Sequence, residues 1–136
     1  MTSDDIINAA AAQIGTPFRH QGRLSGKCLD CAGLIVIIAH QLGFEYNELP
    51  GYGRIPYQGL LEAVLDSQPC LERVFEKQPG DILLIKFRTD PQHLAIFTGD
   101  TIIHSFSVVK KVCEHRFDRD WENRICRIYR FKGLNQ

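Results

Sequence analysis

The sequence has no surplus of either charge. Its 16 Lys and Arg residues balance 16 Asp and Glu, so charge gives no ground for a nucleic-acid or membrane-surface partner. The basic residues near the C-terminus, Arg116, Arg119, Arg124, Arg127, Arg130 and Lys132, are interleaved with acids and read as a solvated face. Long apolar runs are missing; the longest, Leu34 to Ala39, is far too short to span a bilayer. The N-terminal segment Met1-Thr2-Ser3-Asp4-Asp5 is acidic and lacks the apolar stretch of a secretion signal. The expectation is cytoplasmic synthesis, with exit at lysis or within a larger particle. An even cysteine count is also lacking. Cys28, Cys31, Cys70, Cys113 and Cys126 form an odd, scattered set, which argues against a disulfide framework. Cys70, Cys113 and Cys126 lie in apolar or strand-like contexts and read as buried small hydrophobes. The C-x-x-C of Cys28 and Cys31 has no second copy and no βαβ context. A redox pair and half a zinc site stay open as alternatives for it.

The chain shows no repeat, linker or low-complexity stretch, and 136 residues suit one domain, 1–136. The first half reads as helical. Ser3 or Asp4 can cap a helix to about Ile14, which Gly15-Thr16-Pro17 ends. Phe18 to Leu29 is a Gly-rich, basic loop. A helix from about Asp30 to Leu42, apolar on most faces and therefore buried, stops at Gly43. Pro50 to Gly53 reads as a turn, and Tyr57 to about Ser67 as an amphipathic helix. The second half reads as strands: Ile82–Phe87, His93–Thr98, Thr101–Phe106, Val108–Cys113 and Ile125–Phe131, with a short helical piece near Asp118 to Trp121. Helices followed by an antiparallel sheet of about five strands make an α+β fold.

Cys31 stands where a polar, kinked approach gives way to the apolar run from Leu34. That position is a helix N-terminus, where the dipole and unpaired N–H groups favour a thiolate. Two histidines lie far downstream. With Gly99-Asp100 as a two-residue type II′ loop, residue 97 faces 102, 95 faces 104 and 93 faces 106. Period-two alternation then puts His93 and His104 on one face as diagonal neighbours, about 7–8 Å apart at Cα. A lone cysteine with distant histidines is the pattern of a cysteine hydrolase: Cys31 as nucleophile, His93 as base, His104 as orienting residue. A buried thiol beside two strand histidines is the alternative.

Three blocks carry a family resemblance. Gly15-Thr16-Pro17-Phe18 with Arg19-His20-Gln21, then Asp30-Cys31-Ala32-Gly33-Leu34, then Pro79-Gly80-Asp81 through His93 to Gly99 and Ile103-His104-Ser105, stand in one order over nearly the whole chain. Together they resemble the NlpC family of cell-wall cysteine peptidases, and the Arg-His-Gln continuation resembles its phage-encoded branch. The resemblance implies a papain-like core. It implies thiol-dependent hydrolysis of amide bonds in peptidoglycan stem peptides, next to γ-linked D-glutamate, without metal or cofactor. Phage tail proteins are the implied partners. Cys31, His93 and His104 map onto its nucleophile, base and orienting residue. Phe18, His20 and Asp30 map onto substrate-binding positions. Phe18 replaces the family's tyrosine, with His20 the nearby candidate to substitute for it, and Ala32 lacks the hydroxyl of the D-C-S form. Acyl transfer to another substrate and a silent structural part of a tail are the rival readings. His40 and His115 read as surface or solvated, and Trp121, Tyr129 and Phe131 as core.

Overall fold

A computed structural model describes residues 1–48, 60–87 and 90–135. The turn at Pro50–Gly53 and the first residues of the helix expected from Tyr57 lie outside them. Helix α1 (Ser3–Ala11) opens after Thr2, whose N–H donates to Asp5 Oδ2 at 2.8 Å, so the start falls one residue before Ser3. A two-residue hairpin, β1 (Arg23–Leu24) and β2 (Cys28–Leu29), interrupts the basic loop. Helix α2 (Cys31–Gln41) follows at once. Its N-cap is Asp30, whose carboxylate accepts the Gly33 N–H at 2.7 Å, and Gly43 at φ 80° ends it. Helix α3 (Leu60–Asp66) precedes β3 (Leu71–Val74), β4 (Ile82–Phe87), β5 (Asp90–Phe97), β6 (Thr101–Phe106), β7 (Lys111–Arg116), α4 (Arg119–Glu122) and β8 (Ile125–Phe131).

Among the described residues the antiparallel sheet has six strands in the order β3-β8-β4-β5-β6-β7, one more than the sequence suggests. The extra strand is β3. Two charged residues, Glu72 and Arg73, break its apolar pattern, but as an edge strand it needs only to pair Leu71 with Phe131 and so on to Val74 with Ile128. β7 also begins later than expected, at Lys111. Residues 107–110 form a turn in which Lys110 takes φ 70° and bonds Phe106 O.

Both sheet faces are covered, which is why Ile82 to Ile85 are apolar without alternation and all fully buried. Ile82, Leu84, Leu94, Ile96, Ile103 and Val112 pack against α1 and α2, with Leu34, Ile35 and Ile38 from α2. Leu83, Ile85, Ala95, Phe97 and Ile102 pack on the other face, under Phe117 and Trp121. The Pro79-Gly80-Asp81 turn locks the start of β4. Asp81, 1% exposed, takes a two-pronged contact from Arg130 at 2.8 and 2.9 Å, and its Oδ2 also accepts the Gln78 N–H. That motif is structural here. No helix among the described residues is long and apolar enough to cross a membrane.

Candidate active site

Cys31 is the first residue of α2, and the strands it faces are spread to receive it. Thr98 N–H bonds Thr101 O, while Phe97 N–H bonds Asp81 O. Amide directions alternate along a strand, so the Ile96 and Leu94 N–H groups also face β6. Among the described residues, however, the β5–β6 ladder stops at Ile96↔Ile103 and Phe97↔Ile102. Beyond it the Leu94 amide is released from the ladder and lies close enough to the Cys31 sulfur to favour its thiolate. Ser105, which the register would set opposite Leu94, donates its hydroxyl to Leu29 O at 2.6 Å and so holds β6 against the segment leading into Cys31.

His93 is the residue before Leu94, and His104 is the residue before Ser105 on the facing strand. His93, 4% exposed, and His104, 0% exposed, share a face with Ala95, Phe97 and Ile102, in the register expected from the Gly99 turn. His93 Nε2 and His104 Nδ1 are 2.5 Å apart. Among the described residues, no hydrogen bond joins Cys31 to either ring. The series continues: His104 Nε2 lies 2.7 Å from His115 Nε2, and His115 Nδ1 lies 3.0 Å from Arg116 O. A carbonyl can only accept, so His115 donates through Nδ1 and accepts at Nε2. His104 therefore donates through Nε2 and accepts at Nδ1, and His93 donates through Nε2. In the neutral state one backbone carbonyl thus fixes three tautomers and leaves the lone pair of His93 on Nδ1. Trp121 roofs the three rings, with centroids 6.5, 5.3 and 5.1 Å from His93, His104 and His115.

Several expectations change here. Cys113 and Cys126 are partly exposed rather than buried. His115 is not simply solvated; it ends the histidine series. The sequence signal for it was the i, i+2 spacing of Cys113 and His115 on a strand opposite His104, concealed by placing that strand at Val108–Cys113. Trp121 is packed on the histidines rather than being only core.

Asp30, expected to bind substrate, is 4% exposed and tied into the scaffold. Besides capping Gly33 it accepts the Gln21 N–H at 2.9 Å and Arg23 Nη1 at 2.8 Å. It thereby clamps residues 21–23 to the start of α2. Phe18 is half-buried; its N–H bonds Lys110 O at 2.9 Å, and the neighbouring Leu29 N–H bonds Pro17 O. This segment covers the β7 edge and ends beside the nucleophile. His20 is also half-buried, on the same loop.

The protonation states differ from the expected thiolate. Burial, then the charge of Asp30, push the Cys31 thiol up to about 12, against the Leu94 and Ala32 amides and Arg23, which pull it down. The helix end is outweighed first by burial of the sulfur and then by its own capping carboxylate. Burial, then His115, lower His93 to about 3; burial, then His93 and His115, lower His104 to about 2. The resting site is a neutral thiol beside neutral imidazoles. Iodoacetamide alkylation of Cys31 should therefore rise about tenfold per pH unit from pH 7 to 10, since only the thiolate reacts. A rate already level at pH 7, measured by mass spectrometry, would show a preformed ion pair instead.

A buried helix that starts with a cysteine and faces histidine-bearing strands of an antiparallel sheet defines the papain-like α+β class. Comparison with solved structures agrees. The chain is similar to NlpC1 from Trichomonas vaginalis (16% identity, TM-score 0.69, 95% of this chain and 44% of that one). It is similar to an NlpC/P60 family protein from Bacillus cereus (20% identity, TM-score 0.69, 98% and 41%). It is also similar to the NlpC/p60 domain of the peptidoglycan hydrolase SagA (21% identity, TM-score 0.60, 85% and 90%). The chain thus spans less than half of the first two proteins and most of the third. The fold is that of the NlpC/P60 proteins. No protein-family model and no curated protein matches the sequence.

Proposed function

We propose that the chain is an NlpC/P60-type cysteine peptidase that hydrolyses amide bonds of bacterial peptidoglycan stem peptides, next to γ-linked D-glutamate. The observation that carries this reading is the buried His93–His104 pair, 2.5 Å apart on the two strands against which the cysteine-led helix α2 packs. A solved protein of this fold, SagA, is described as a peptidoglycan hydrolase. We read residues 1–136 as one domain, acting in a phage tail or at lysis.

In the proposed reaction, His93 Nδ1 takes the thiol proton as sulfur attacks the scissile carbonyl carbon. The amides at the start of α2 receive the oxyanion. His93 returns the proton to the leaving amine and the C–N bond breaks, leaving a thioester. Water, giving its proton to His93, then releases the acid and the thiol. His104 holds the His93 ring through the 2.5 Å contact.

Digestion of purified peptidoglycan under reducing conditions, with mass analysis of released peptides, tests the proposal. Wild type should release peptides with new termini and Cys31→Ala should release none. Absence of products from several wall chemotypes, with Cys31 resisting alkylation even at high pH, would favour the structural reading.

A further inference from the structure

We propose that His104, Cys113 and His115 form a zinc site whose occupancy switches the candidate active site off. The side-chain donor atoms of these three residues lie within 4.8 Å of one another. The sheet brings them together: His104 pairs directly with Cys113 across β6 and β7, and His115 is two residues on from Cys113, on the same face. Two imidazoles and a thiol are a zinc donor set, and a fourth position is left for water.

The site needs little rearrangement. With its Nδ1–H held by Arg116 O, the neutral His115 ring turns its Nε2 lone pair toward His104. Its contact with His104 Nε2 is 2.7 Å, and two nitrogens on one tetrahedral zinc stand about 3.3 Å apart, so the rings separate by only about 0.6 Å. Cys113 is partly exposed, which gives the ion a route in, and its thiol proton leaves to solvent as the Zn–S bond forms.

The consequence for the other histidines follows from proton positions. Zinc on His104 Nε2 takes the nitrogen that now carries the hydrogen. The neutral ring then bears it on Nδ1, which donates to His93 Nε2. His93 in turn carries its hydrogen on Nδ1, where the lone pair that would deprotonate Cys31 had been. Each ring keeps one proton, but the order of donors is reversed and the base is lost.

The inhibitory half of this inference rests on the hydrolase reading; the binding half does not. Binding is therefore measured first, on the Cys31→Ala chain, by zinc competition against a chromophoric chelator and by the cobalt(II) spectrum. One ion should bind, with a thiolate-to-cobalt charge-transfer band, and adding Cys113→Ser should remove the band and weaken zinc by about tenfold or more. No binding, or binding indifferent to Cys113→Ser, overturns the site. Hydrolysis is measured next. Saturating zinc should slow wild type by about tenfold or more, and Cys113→Ser, equally active without zinc, should keep its rate at the same zinc concentration. Binding at the expected residues with unchanged hydrolysis overturns the switch. Binding in a chain that never hydrolyses peptidoglycan leaves the metal site standing and refutes the enzymatic reading instead.

Discussion

Cys31→Ala and His93→Ala are each expected to lower peptide release by about a thousandfold or more, and the double variant no further. The non-additivity is the diagnostic part. Without the base, a thiol pushed up to about 12 holds almost no thiolate at neutral pH. Without the sulfur, the base has no proton to take. His104→Ala should cost less, about a hundredfold or under, because it acts through His93 and water can accept the same N–H. It should also loosen the tautomer, so the conservative His104→Gln, which can accept from His93 Nε2, should recover part of the loss. Initial rates on one stem-peptide substrate would decide. Equal, complete losses for His93→Ala and His104→Ala would refute the separate roles, and additive losses for Cys31 and His93 would show that they do not act as a unit.

Gly33→Ala is expected to damage stability and activity together. Gly33 sits in the first turn of α2, where a Cβ would lie 2.1 Å from Gly22 O, 3.1 Å from Arg23 Nη1 and 3.3 Å from Asp30 Oδ1. The obstacle is a backbone carbonyl that no rotamer change can move. Either the helix start or the 21–23 loop must shift, and the loop is held by the same Asp30 carboxylate that caps the Gly33 N–H. The cost should fall at the top of the overpacking range, about 3 kcal/mol, or a melting point lower by about 10 °C. Displacing that loop also moves the Asp30 charge and the helix-start amides relative to Cys31, so hydrolysis should fall with stability. Gly26→Ala is the control. Its Cβ meets nothing within 4 Å, so only the strain of φ +73° applies, at about 1 kcal/mol, and activity should survive. Wild-type melting and activity in Gly33→Ala would sink this account of the motif.

Periodicity and turn chemistry made much of the arrangement legible beforehand. The buried α2 helix, its start at Asp30-Cys31 and its stop at Gly43 follow from an apolar run bracketed by a capping aspartate and a glycine. The Gly99 turn, with φ 120°, set the register that brings His93 and His104 to one face, because two-residue loops leave no slack in pairing. What stayed hidden depends on partners remote in sequence. β3 is a strand only because β8 offers it an edge. Asp30 is a clamp rather than a free carboxylate because Gln21 and Arg23 fold back onto it. His115 joins the histidines because β7 starts three residues later than its apolar pattern suggests. The parting of β5 from β6 left no mark in the sequence; it arises where the Ser105 hydroxyl bonds Leu29 O. The protonation of Cys31 belongs here too. A helix start favours the thiolate locally, but desolvation and a neighbouring carboxylate are sums over everything packed around the sulfur, and only the assembled structure supplies those terms.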